Sequence, residues 1–271
     1  MIATMRSIGT LAIATLREYL RERGLHALIV LIWIVTFAAA ALGELSAGER
    51  TRVVTDIGLA ATRLGGLCAA LFFGAAVVAR EVEQRSAATT LTAPIGRPAW
   101  LLGRFSGALL AVVVLVMLAG GVLCMVAAAV TTPAFPHVAG ATSRLDVALR
   151  LLPALLLVTI ELMVVAAVAT MFSAFSSHLF AFGCAFGLWV AGHYAQAAAH
   201  LTANASSAPV SVLNGALWLL LPNVSSFGAA TRIAQGEAVR SGEVALAAAY
   251  GVLYAAAALA IGNGLFARRD V

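Results

Sequence analysis

The 271-residue chain is 62% hydrophobic and only 11% charged, with a mean hydropathy of +0.99. Soluble domains carry about 25% charged residues, so these apolar side chains cannot all be hidden in a core surrounded by water, and the composition calls for a bilayer. All 17 basic residues are arginine, which excludes a P-loop, whose lysine reaches the nucleotide phosphates, and excludes Schiff-base chemistry. The formal charge of +5 comes from arginines at the ends of apolar runs, the pattern of topology signals and not of a nucleic-acid-binding face.

A transmembrane barrel would show ~10-residue strands of alternating polarity. The apolar runs here are continuous and rich in Ala and Leu, and they predict helices of the ~20 residues that cross a ~30 Å hydrocarbon core. Residues 1–24 come first. Met5, Ile8, Ala12, Leu16, Tyr19 and Leu20 recur at three- and four-residue intervals between Arg6, Arg17, Glu18, Arg21 and Glu22, as in an amphipathic helix lying in the membrane interface. Small residues near Ala38 resemble a signal-peptide cleavage site, but the polar lead is too long and the apolar run is of anchor length, so cleavage is not expected.

Six spans are expected, at about 25–42, 57–79, 106–130, 147–172, 179–199 and 244–266. Between the second and third lies the most polar stretch of the chain, residues 80–104, with Arg80, Glu81, Glu83, Arg85, Arg97, Arg104 and two prolines. Residues 200–243, between the fifth and sixth, hold an apolar piece from Leu213 to Pro222 that is too short to cross. A short amphipathic helix with Phe227 and Ile233 on one side follows it. Together they predict a re-entrant or interface-dipping pair outside the cytoplasm. With both termini in the cytoplasm, ten arginines fall inside and seven outside, the outer set being Arg50, Arg52, Arg63, Arg144, Arg150, Arg232 and Arg240. The majority favours that orientation and makes 80–104 the one sizeable cytoplasmic loop.

Few residues offer chemistry. Cys68, Cys124 and Cys184 lie inside apolar runs without a C-x-x-C, which suits small buried hydrophobes and no metal site. Met117, Cys124 and Met125 lie on the third span and Met163 and Met171 on the fourth; soft ligands select Cu(I), but methionine at helical spacing is ordinarily packing. Glu161, mid-way along the fourth span, is a functional candidate by its depth alone, with His193 and Gln196 of the fifth span at a similar depth. It is expected as a neutral acid donating a hydrogen bond to the fifth span, serving either as a structural contact or as a proton-linked gate. Two G-x-x-x-G patterns, Gly103 to Gly107 and Gly183 to Gly187, allow close helix approach.

The stretch "VVAREVEQRSAATTLTAPIGRPAWLLGRFSG" resembles the most recognisable segment of ABC type-2 exporter permeases. The matching elements are the acidic Glu81 and Glu83, the Arg85-Ser86 turn, Pro94 with Arg97, and Arg104 with Gly107. Arg104 stands where that family has a lysine. "LPNVSSFGAATRIAQGE" and the terminal "LFARRDV" are similar to its late Pro-Asn loop and its ending, and the subgroup most resembled is that linked to multi-copper-enzyme and nitrous oxide reductase maturation. The resemblance implies an all-α membrane protein laid out like the type V exporters, with the interfacial helix, six spans, a coupling helix in 80–104 and re-entrant helices before the last span. It further implies a bacterial inner-membrane permease subunit that binds no cofactor itself. Two copies of a separate ATPase would use ATP and Mg²⁺ and engage Arg80, Glu81, Glu83, Arg85, Pro94 and Arg97. The other implied partners are a second permease copy or close paralogue, the bilayer and a periplasmic accessory protein. The alternative is an assembly or force-transmitting scaffold without a transported substrate. A secondary transporter is disfavoured by the lack of inverted repeats.

Overall fold

A computed structural model describes residues 2–45, 50–83, 96–130, 144–202, 222–237 and 239–267. These form eight α-helices and one 3₁₀ turn: α1 (Ile2–Leu20), α2 (Arg23–Gly43), α3 (Arg50–Glu83), α4 (Arg97–Val130), α5 (Arg144–Ser173), α6 (His178–Thr202), the turn Val224–Gly228, α7 (Ala229–Ala234) and α8 (Ser241–Ala267). Five helices carry stretches long and apolar enough to cross a membrane: Arg23–Gly43, Arg50–Arg80, Arg97–Val130, Asp146–Ser173 and Ser241–Phe266. The apolar stretch of α6, His178–His193, is shorter. The described residues are therefore all-helical, and the chain is a multi-pass membrane protein. A lipid-exposed helix satisfies its own backbone polar groups, which no open strand can do in hydrocarbon.

The packing registers show how the helices alternate. Arg63 meets Glu161 and Gly74 meets Thr170, so α3 and α5 run in the same direction. Added Cβ atoms on Gly251 and Gly262 would meet Ile160 and Met171, so α8 runs with them. Gly120 faces Leu155 while Cys124 faces Ala148, which sets α4 against α5. Gly65 on Ile32 and Arg50 beside Gly43 set α2 against α3. His178 at Phe72 and Trp189 at Glu161 set α6 against both α3 and α5. One end of the bundle thus collects Leu20, Arg23, Glu83, Arg97, Ser173, His178 and Ala267.

Inside lipid the hydrophobic effect does not drive helices together, and close packing of small residues has to do so. At Gly74 a Cβ would lie 2.6 Å from the Ala166 carbonyl oxygen. That approach also lets the Thr170 hydroxyl donate to the Gly74 carbonyl at 3.2 Å and to its own Ala166 carbonyl at 2.8 Å. Thr36, Thr62 and Thr159 donate one turn back in the same way, each at 2.8 Å, so their polarity stays off the lipid. Pro153 is taken up inside α5. Gly236, at φ 83°, ends α7 in the left-handed conformation that glycine adopts most cheaply.

Several expectations are revised. α1 is helical, but instead of spending its apolar stripe on lipid it packs Leu11, Ala12 and Thr15 against Gly103 and Gly107 of α4. A Cβ on Gly107 would lie 2.6 Å from the Ala12 carbonyl oxygen, so the first G-x-x-x-G receives a helix. The second does not: among the described residues, no other element would lie within 4 Å of a Cβ on Gly183 or Gly187. The polar stretch 80–104 is shorter than expected, since Arg80–Glu83 ends α3 and Arg97–Arg104 begins α4. Its centre, 84–95, and the expected short apolar piece at 213–221 lie outside the described residues.

Candidate functional site

Two polar clusters stand out from the apolar bundle. The first is a collar at the end where α3 stops and α4 starts. Arg80, one turn from the end of α3, places Nη1 2.7 Å from Glu22 Oε1. Arg104, two turns into α4, places Nη1 2.8 Å from Glu18 Oε2. Glu18 and Glu22 are one turn apart around the close of α1, so this one short element is ion-paired to both legs of the polar stretch. Tyr19 between them is buried, stacks on Phe73 at 4.4 Å and donates its hydroxyl to the Phe73 carbonyl at 3.4 Å. Burial pushes that phenol well above its ordinary acidity range, with Glu18 and Glu22 adding to the shift and Arg104 and Arg80 opposing it, so it remains a hydrogen-bond donor.

Aromatic faces complete the collar. The guanidinium of Arg80 sits 5.1 Å from the Phe72 ring centroid, that of Arg97 5.9 Å from Phe266, and that of Arg104 5.9 Å from Trp100. Trp100 stacks on Phe266 at 5.5 Å, which ties the start of α4 to the end of α8. Flat cations on ring faces hold position without full desolvation. Both ion pairs are partly exposed, Glu22 at 33% and Glu18 at 49%, so each contributes less than about 1 kcal/mol. Their role is to fix geometry.

Of the coupling residues expected from sequence, Arg80 and Arg97 are in this collar. Glu81 and Glu83 occupy the last turn of α3, and Arg85 and Pro94 lie outside the described residues. Sequence reasoning gave Glu18, Glu22 and Tyr19 no role at the site. The signal was present, as two carboxylates at i and i+4 on a helix otherwise rich in arginine.

The second cluster is near mid-height. Arg63 is about 20 Å from the start of α3 and about 25 Å from Arg80, at 1.5 Å per residue. It donates to Glu161 Oε1 from Nη2 at 2.8 Å and from Nε at 3.1 Å, and Trp189 Nε1 of α6 donates to the same oxygen at 3.1 Å. Glu161 Oε2 lies 2.8 Å from Arg63 Nε but accepts no hydrogen bond; that contact is one of charge. The side chains are 18% and 2% exposed. Beside them lies a small apolar recess, walled by Val164, Val168, Ala185, Leu188 and Phe227, and this apolar wall strengthens the pair.

This overturns two expectations. Glu161 does not donate to the fifth span: its side-chain oxygen accepts, from Arg63 of α3 and Trp189 of α6 together. Arg63 does not belong with the outer topology arginines, because it is inside α3 and neutralises Glu161. An arginine flanked by apolar residues within a span is the signal for such a partner. His193 approaches this cluster, its ring 5.2 Å from Trp189. Gln196 is further along α6, and its side chain is not among those described. Among the described residues no three His, Cys, Asp or Glu side chains gather as metal ligands.

A scan against protein-family models finds no match to this chain, and a search of curated protein sequences finds none either.

Proposed function

We propose that the chain is the membrane-spanning permease subunit of an ABC transporter, working as a dimer with two copies of a separate ATPase in a bacterial inner membrane. In this reading it crosses six times, with α6 as the fifth crossing and both termini in the cytoplasm. The observation that carries the reading is the collar, because the segment resembling a coupling helix hangs between two legs that α1 braces through Glu22–Arg80 and Glu18–Arg104. A solvated loop would need no such brace. A motor subunit must push on something that cannot yield locally, and the brace spreads a push on 84–95 over three helices.

The ATPase would use ATP and Mg²⁺, and closure of the ATPase pair would bias the permease between two arrangements. Those arrangements must differ in their contacts for ATP to shift them. The test is co-production with an ABC ATPase from the same genome, followed by reconstitution in liposomes. A stable complex whose ATP hydrolysis depends on this chain, and is lost on Glu81→Arg/Glu83→Arg, is expected. Failure to retain the ATPase, or hydrolysis indifferent to that substitution, would overturn the proposal.

A further inference from the structure

We propose that the outer face of α1 and the start of α2 form a seat for anionic phospholipid. Arg6, Thr10, Ile13 and Arg17 follow one another at spacings of four, three and four residues and so share one side of α1, opposite the side packed on Gly103 and Gly107, and Arg21 follows in the turn that leaves α1. All five are exposed. On α2, Arg23, Val30, Ile34 and Phe37 likewise share a face, at spacings of seven, four and three, and are exposed as well. Arg23 stands about 10 Å above Val30.

Charge decides the occupant. Arg6, Arg17, Arg21 and Arg23 have no ion pair with a described acidic residue, whereas Glu18 and Glu22, the two acids of this region, are engaged by Arg104 and Arg80. The face is therefore uniformly cationic. Guanidinium groups only donate hydrogen bonds, so they satisfy phosphate oxygens and offer nothing to the ammonium of a zwitterionic headgroup. Ile13, 51% exposed between Arg6 and Arg17, and the Val30, Ile34 and Phe37 stripe below Arg23 suit the boundary between headgroups and acyl chains. An aqueous acidic protein would cover these apolar residues less well. Cations over an apolar stripe match a headgroup over its tail. The seat depends only on membrane insertion, so it stands or falls separately from the ABC reading.

The full chain would be placed in nanodiscs of phosphatidylethanolamine doped with phosphatidylglycerol, released, and its retained lipids counted by native mass spectrometry. Enrichment of phosphatidylglycerol by roughly tenfold or more is expected, from four arginines near a charged surface. Arg6→Gln/Arg17→Gln/Arg21→Gln/Arg23→Gln should abolish the enrichment. The matching lysine variant should keep most of it, and Arg240→Gln, at the other end of the bundle, should leave it intact. Absence of enrichment in the wild type, its survival in the glutamine variant, or equal loss in Arg240→Gln would each overturn the proposal. Cross-linking of an acidic protein from position 17 without lipid enrichment would overturn it in favour of a protein partner.

Discussion

Removing Arg63 tests the buried cluster hardest. In Arg63→Met the carboxylate of Glu161 keeps one hydrogen bond, from Trp189, and loses its counter-charge. Both side chains are less than a fifth exposed, so screening by water does little to soften the loss. Orphaning one member of such a pair costs about 3–5 kcal/mol, whereas replacing both with apolar groups of similar size is close to neutral. At roughly 2–4 °C per kcal/mol for a chain approaching this size, Arg63→Met and Glu161→Leu should each lower the melting temperature by about 6–20 °C. The double variant Arg63→Met/Glu161→Leu should recover most of that. Trp189→Phe removes a single donor and should cost only about 1 kcal/mol. The assay is loss of the monodisperse gel-filtration peak after heating in mild detergent. A melting temperature for Arg63→Met within 2 °C of wild type, or a double variant no better than its parents, would refute the ion-pair account.

Three further outcomes are expected. Gly107→Ala should drive a methyl group into the Ala12 carbonyl, destabilise the α1–α4 contact by about 1–3 kcal/mol, and expose a cysteine placed at Thr15 to maleimide; protection of that cysteine would show that α1 does not depend on the approach. Arg80→Glu and Glu22→Arg should each reduce the ATP hydrolysis of the reconstituted complex several-fold with little change in melting temperature, because exposed pairs stabilise weakly. Combining the two should restore hydrolysis, and a double variant as poor as the singles would remove the brace from the mechanism. In a chain freed of its three cysteines, Ser86→Cys should resist a membrane-impermeant thiol reagent on intact cells while Ser241→Cys reacts, and strong labelling at Ser86 would reverse the orientation.

The helices were legible because their apolar runs are long and their ends are marked by arginine. Arg23, Arg50, Arg97 and Arg144 each open a helix, and all six expected spans fall within helices. Helix lengths were read short, since helical geometry continues past the apolar run: Arg97–Arg104 has polar and aromatic partners of its own, and hydropathy ignores them. The tertiary partners were less legible. Glu161 could be singled out by its depth, but its partner lies 98 residues away on a parallel helix, and no periodicity encodes that distance. α1 reads as amphipathic towards lipid because its stripe of Met5, Ile8, Ala12, Leu16, Tyr19 and Leu20 looks the same whether it meets acyl chains or other helices of the bundle. The collar mixes both cases. Its arginines are visible in sequence, while its acids are supplied by a helix some sixty to ninety residues earlier in the chain.

The central claim, that the 84–95 segment is where an ATPase takes hold, is tested most directly by a photo-crosslinker at Leu91 in living cells. Irradiation should yield a covalent adduct between this chain and a P-loop ATPase, identified by peptide sequencing across the bond. The same probe at Pro133, in the outer loop of the proposed topology, should yield no such adduct. Adducts at Leu91 with lipid alone, or ATPase adducts from Pro133 instead, would contradict the account.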